Sequence, residues 1–330
     1  MPPAEATSRP VQVRPFEARD LDAAAGLLAA RHRRHRLAEP LLDPAYEERG
    51  AARHEIESLL AADSATAWAA SAGGSFAGFM VGIAKDPATW GGNVWVEAAG
   101  HAATGPAVLR ALYAVAAAAW VDAGRANHHS LVPATDEDLV EAWFSLDFGQ
   151  QHLHAVRESP PAPFVVVPQA DRVIRRAKRT DLPALAELEL VLPRHGQLAP
   201  VFSRLPVQPV ETVLAELEGD FDDPRFTTFV AEAAGRVVGS AIGCSLVESS
   251  TNTSLIRPAR AGFLGYAAVL PEARGQGVGR ALGETILTWG RDAGYQVIAT
   301  DWRSTNLEAD GAWRGLGFRP TFRRLHRAIT

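Results

Sequence analysis

The sequence predicts an α/β protein built from two tandem copies of one domain, each a mixed, mostly antiparallel sheet with helices on both faces. Three observations predict it: an internal repeat, a proline-rich stretch between its copies, and strand-like and helix-like patterns that alternate along the second copy.

Residues 13–27 and 174–188 match at an offset of 161, so that Arg14, Asp20 and Leu21 recur as Arg175, Asp181 and Leu182. The same offset carries Gly74, Gly78 and Gly82 onto Gly235, Gly239 and Gly243. Further on the offset becomes 170, and Trp143, Leu146 and Phe148 return as Trp313, Leu316 and Phe318. The second copy therefore carries about nine extra residues, which the polar stretch Glu248–Arg257 accommodates. Ser159–Pro168 holds four prolines in ten residues and reads as an extended linker. The expected domains are 1–158 and 172–330, joined by 159–171.

In the second copy, Arg172–Ala177 reads as a strand, with Thr180 and Asp181 offering N-cap chemistry to a helix through Leu185, Leu188 and Leu192. Pro209–Leu217 is a second helix, and Phe226–Ala233 with Val237–Val247 a hairpin turned at Ala234-Gly235-Arg236. Phe263–Val269 is a strand leading into a glycine-rich loop. Leu282, Ile286, Trp289 and Ala293 then share one face of a helix over Gly279–Ala293. Gln296–Asp301 is a strand, Leu307–Arg314 a short helix, and Phe318–Ala328 a closing strand pair.

Composition excludes several classes. The chain has 330 residues, 47% hydrophobic and 22% charged, which suits a globular protein and not a disordered one. The longest apolar run, Ala111–Val121, is short of the ~18 residues of a membrane span. The N-terminus lacks the pattern of a secretory signal, so a cytoplasmic location is expected. One cysteine, Cys244, rules out an internal disulfide and a multi-cysteine zinc site. A net charge of −5 gives no general pull toward nucleic acid or anionic lipid. Only Lys85 and Lys178 are lysines among the 33 basic residues.

The segment that carries chemistry is Arg274-Gly275-Gln276-Gly277-Val278-Gly279, between a strand and a helix start. Glycines there let backbone N–H groups converge on an anion, and the helix N-terminus and two arginines, Arg274 and Arg280, add positive charge. A phosphate or pyrophosphate is the physical expectation. A nucleotide-hydrolysing P-loop needs a lysine after its last glycine, and none is present. A dinucleotide fingerprint has a different glycine spacing, and a plain turn without ligand remains an alternative.

Val269-x-Pro271-x-x-Arg274-Gly275-x-Gly277-x-Gly279, with Asn306 ahead of a helix that ends in Gly317-Phe318, resembles the GNAT superfamily of acyl-CoA N-acyltransferases. The resemblance covers essentially all of 172–330, and the repeat extends it to a degenerate first copy. It implies acetyl-CoA as acyl donor, with the pyrophosphate on the backbone of Gln276, Gly277, Val278, Gly279, Arg280 and Ala281. It also implies that the pantetheine arm lies along Ala268 and Val269 beside Asn306, whose plainer role is an N-cap. In the first copy the loop reads Thr104-Gly105-Pro106-Ala107-Val108-Leu109, and Asp136 stands in place of Asn306. That copy is expected to have lost the cofactor.

Acyl transfer to an amine needs a neutral nucleophile, a donor for the carbonyl oxygen and a proton for the thiolate. The resemblance assigns the carbonyl oxygen to a backbone N–H near Ala268. Where the family commonly carries a tyrosine acid, this chain has Trp313. Tyr266 is the substitute candidate, and Asp301 and Glu248 are candidate bases, each with the alternative of a solvated strand-end residue. His128-His129 and His152-x-His154 lack a carboxylate or cysteine cluster, so no metal is expected. Arg31–Arg36 reads as a solvated helix face, and Trp143 and Trp313 as packing residues. The expected activity is acetylation of a small-molecule primary amine by a monomer or homodimer. A mycothiol-synthase-like transferase and a non-catalytic acyl-CoA binder are the rival readings.

Overall fold

The computed structural model describes residues 10–164, 172–203 and 206–329. The first half of the chain runs β1 (Val11–Pro15), α1 (Leu21–Ala38), α2 (Arg49–Leu60), β2 (Thr66–Ala72) and β3 (Ser75–Gly82). It continues through α3 (Pro87–Trp90), β4 (Asn93–Val96), β5 (His101–Ala103), α4 (Pro106–Asp122), β6 (Asn127–Pro133), α5 (Glu137–Phe144) and β7 (Gly149–Glu158). The second half runs β8 (Arg172–Arg176), α6 (Leu182–Glu189), α7 (Val191–Gly196), α8 (Val210–Asp220), β9 (Phe226–Ala233) and β10 (Arg236–Ser245). It ends with β11 (Ala261–Val269), α9 (Val278–Asp292), β12 (Val297–Arg303), α10 (Leu307–Gly315) and β13 (Arg319–Ala328).

These elements form two compact units that cross the boundaries expected from the repeat. One takes the described chain up to Gln151 with Ser254–Ile256 and Thr321 onward; the other takes His152–Thr253 and Arg257–Pro320. The closing strand of each copy thus completes the other copy's sheet. In the second unit β7 lies antiparallel to β12, with His152 opposite Arg303 and Glu158 opposite Val297. In the first unit β13 takes the equivalent place beside β6, with Phe322 opposite Pro133 and Ala328 opposite Asn127. The copies are related, so either closing strand fits either ladder. The expected strand pair over Phe318–Ala328 is accordingly a single strand. Of the linker, 165–171 lies outside the described residues, while Ser159 Oγ donates to Tyr295 O at 2.5 Å.

The second unit has one sheet in the order β7-β12-β11-β10-β9-β8, in which only β11 and β12 run parallel. The first unit has β1-β2-β3-β5 and, separately laddered, β4-β6-β13, with β4 and β6 parallel. The strand that is continuous as β11 in the second unit is therefore broken into β4 and β5 in the first.

Repeated residues do repeated work. Arg14 grips Asp20, and Arg175 grips Asp181, each through two hydrogen bonds. Asp181 also accepts the Lys178 N–H, so it braces the turn before α6 instead of capping the helix. That helix is shorter than expected, because the chain pauses at Leu190 and restarts as α7. A Cβ on Gly82 would lie 2.4 Å from the Trp120 ring, and one on Gly243 2.7 Å from the Trp289 ring. Both glycines let a helix, α4 or α9, press onto the sheet. Leu282, Ile286 and Leu287 of α9 are fully buried against Leu264, Ile298 and Trp302. That packing holds the N-terminus of α9 at the sheet's fork.

Candidate active site

Three devices build a cleft in the second unit. The first is a bulge. The register of β10 against β11 skips between Ile242–Tyr266 and Gly243–Leu264, leaving Gly265 as the extra residue. A bulge bends its strand and ends pairing locally. β11 and β12 stay paired only from Ala261–Val297 to Leu264–Thr300, where the Thr300 hydroxyl donates to Leu264 O at 2.9 Å. Beyond that rung the two strands part.

The second device is the loop. Gly275 and Gly277 adopt left-handed φ of 72° and 78°, a region costly for other residues, and Gly277 caps the N-terminus of α9. The N–H groups of Val278, Gly279 and Arg280 belong to the first turn, which a helix leaves without internal partners. Ala281 differs from expectation: its N–H closes the first turn on Gly277 O at 3.0 Å, so it is not a ligand donor. The third device is α10. Asn306 caps it by accepting the Ala309 N–H at 3.1 Å, and it also lines the cleft, so both of its expected roles fit one geometry.

The resulting cleft has a volume of about 390 Å³ and runs from the loop along Ala267–Val269 to Trp313. The backbone donors along it shift by one residue from expectation. Leu270 N–H donates to Val238 O, and Ser240 stands opposite Ala268. Alternation along an antiparallel ladder then turns Ala268 toward β10 and the N–H groups of Ala267 and Val269 toward the cleft. Arg274 reaches Glu308 across the mouth at 3.1 Å, and Arg280 pairs with Glu284 at 2.8 Å. Both are surface ion pairs that a polyanion can displace.

Two lining or buttressing residues have no motif to announce them. Arg172, opening β8, donates to Gln276 O at 2.7 Å and brings a third guanidinium to the loop. His195 of α7 lines the cleft with Val191 and Leu192.

The three candidate acid–base residues part company. The Tyr266 hydroxyl donates to Leu188 O at 2.5 Å, and burial pushes the phenol well above its ordinary range. It anchors α6 to β11 and does not line the cleft, so its proton is held away from a leaving thiolate. Glu248 is taken by Arg225 at 3.0 Å. Asp301 lies just past the last rung of the fork. Burial opposes its charge, but the hydrogen bond from His152, positive charge on His152 and His154, and a hydrogen bond from Asn252 together outweigh this and hold the carboxyl well below the usual range. His152 Nε2 is 2.9 Å from Oδ1, while Asn252 Nδ2 donates to Oδ2 at 2.6 Å and the Thr251 hydroxyl at 3.1 Å.

The first unit is built differently at the equivalent place. Its loop helix α4 starts from Gly105 with extended φ of 176° and carries Pro106 in its first turn. The pocket beside Asp136 is lined by Arg34, His35 and Thr135–Asp138, and not by the loop. Arg31, whose counterpart in the repeat is Leu192, turns inward rather than into solvent. Its guanidinium is buried and donates to the carbonyls of Ala98 and His101, where the broken strand opens. Burial pulls it down to about 9.

The family model described as Acetyltransferase (GNAT) family matches residues 197–318. Aminoglycoside N(6')-acetyltransferase type 1 of Stenotrophomonas maltophilia is 35% identical over 118 residues, which are 32% of this chain and 74% of that protein. The chain belongs to the GNAT acetyltransferase family. N-acetyltransferase 8B of Homo sapiens is 37% identical over 93 residues, 28% of this chain and 38% of that protein. A GCN5-related N-acetyltransferase from Sphaerobacter thermophilus shares the fold along 97% of this chain and 96% of its own, with a TM-score of 0.59 at 15% identity. As a GNAT protein the chain is an acyltransferase. Among the described residues, no helix is long and apolar enough to cross a membrane.

Proposed function

We propose that the second unit transfers an acetyl group from acetyl-CoA to a primary amine of a small molecule, and that the first unit is a scaffold without a donor site. The observation that carries this reading is the cleft itself: left-handed glycines at a helix N-terminus open onto the free edge of a forked strand pair, and Asp301 stands just past the last rung of that fork.

The residues fit the donor. The N–H groups of Val278, Gly279 and Arg280, with Arg274, Arg280 and Arg172 around them, would hold the pyrophosphate. Ala267 and Val269 offer an unpaired strand edge to the pantetheine amides, with Asn306 facing them. Bound acetyl-CoA would supply an activated acyl group. The Ala267 N–H, beside the bulge, is placed to stabilise negative charge on the carbonyl oxygen. Asp301 stays ionised through the working pH range and so attracts a cationic amine to the fork. Trp313 walls the cleft where a phenol would donate, so the thiolate takes its proton from water, which a good leaving group tolerates.

The aminoglycoside in the name of the Stenotrophomonas maltophilia relative supports a small acceptor. Calorimetric titration with acetyl-CoA should give one site per chain. Thiol release should then appear with at least one member of a panel of aminoglycosides, polyamines and amino acids. With only two lysines in the chain, self-acetylation adds little background. Binding without turnover on any amine would favour the non-catalytic reading.

A further inference from the structure

The glycine loop is tied to the far edge of its sheet. Arg172 opens β8, the last strand of the second unit's order, and its guanidinium donates to Gln276 O at 2.7 Å, 104 residues along the chain. It does so from behind: Gly275, Gly277 and Val278 line the cleft, whereas Gln276 and Arg172 do not. Gln276 O and Gly277 N–H belong to one peptide, and a planar trans peptide points them in opposite directions. A group that grips the oxygen behind the loop therefore turns the Gly277 N–H toward the cleft, where it has no backbone partner among the described residues. The guanidinium also lies against Gly277 itself, with Nη1 3.8 Å from where a Cβ would stand.

Two features set Arg172 apart from the arginines near it. Arg236, Arg274 and Arg280 are paired with the carboxylates of Glu272, Glu308 and Glu284, and Arg175 with those of Asp181 and Glu232. Among the described residues no carboxylate pairs with Arg172, and its Nε is buried without a hydrogen bond. A buried donor left unsatisfied is destabilising, so stability alone does not select this placement. The second feature is its place in the repeat. Arg172 stands opposite Ala233 in its ladder, as Val11 stands opposite Ala72 in the first unit, so a valine holds the equivalent position there. The place of Gln276 falls to Pro106, which starts α4 outright. The arginine is thus present in the unit that has a left-handed glycine loop to hold.

We propose that Arg172 is a positioning residue for the acyl donor: it holds the Gln276–Gly277 peptide so that the Gly277 N–H, beside those of Val278 and Gly279, receives a phosphate oxygen. This rests on the reading that the loop takes the donor's pyrophosphate, and it adds that Arg172 acts there through the backbone. Glycines have more conformational freedom to lose than other residues, and a latch that removes it before the ligand arrives favours binding.

The test pairs calorimetry with acetyl-CoA and hydrogen exchange of the unliganded full chain, read over the loop at 270–282. Arg172→Val installs the first unit's own residue, a good strand former. It is expected to raise Kd for acetyl-CoA about tenfold and to speed loop exchange by a similar factor, with the thermal midpoint unchanged. Arg172→Lys keeps the reach and a donor, and should recover most of both. Weaker binding with loop exchange unchanged overturns the proposal, because the guanidinium then acts by its charge alone. Faster loop exchange with affinity unchanged overturns it as well, since the freed peptide then does not meet the ligand. In both cases wild type still binds acetyl-CoA. Should wild type bind none, the functional reading itself fails and this proposal falls with it.

Discussion

At the scale of single residues, the site depends on backbone shapes that few side chains allow. Gly277 holds a φ of 78°, and a side chain there is strained before any clash is counted. Gly277→Arg is expected to abolish acetyl-CoA binding in calorimetry while the protein remains folded. Retained affinity would show that the pyrophosphate does not sit on this loop. The misplacement of Ala268 by one residue has the same origin: a strand's N–H groups alternate in direction, and motif spacing does not reveal which parity faces the cleft. Tyr266 is a parallel case. Sequence places a phenol on the right strand, but only packing decides that its hydroxyl bonds to Leu188.

At the scale of elements, the fork is set by one bulge, one rung and one tightly seated helix. Gly82 and Gly243 are repeat partners that each admit a tryptophan ring. Gly82→Ala and Gly243→Ala should each destabilise by about 1–3 kcal/mol in urea unfolding, because the ring cannot retreat in a packed core. Only Gly243→Ala should weaken acetyl-CoA binding, since it displaces α9. Equal effects on binding would mean that the first unit also contributes to the donor site. Thr300→Val removes the hydroxyl that closes the last rung and is expected to cost about 1 kcal/mol. It should also lower kcat/KM for the amine more than it lowers affinity for acetyl-CoA, because the rung lies beside Asp301.

At the scale of the whole molecule, acid is expected to act on the first unit through four buried histidines. That unit buries His35 and His101, each pulled by burial down to about 3, with His128 at about 4 and His129 at about 2. A base whose folded pKa is depressed gives stability that is complete above its unfolded value of 6.5 and is lost as pH falls toward the folded value. Hydrogen exchange at stepped pH should therefore show protection lost in the first unit before the second as pH falls from 6.5 toward 3. Loss in the second unit first would refute the assignment of acid sensitivity to these histidines.

The sequence by itself determined the two-copy plan, most of the order of elements in the second copy, and the glycine-rich loop whose glycines the first copy replaces. These features are written locally, in glycine positions, helical periodicity and a repeat that survives comparison at a fixed offset. Tertiary structure decided which closing strand completes which sheet, because two related strands carry nearly the same pairing pattern and long-range contacts choose between them. That choice carries His152 to Asp301, 149 residues away in the chain. It also decided that Arg31, which reads as part of a solvated basic face, turns its guanidinium inward onto two backbone carbonyls, because the broken strand beside it leaves them unpaired by any neighbouring ladder.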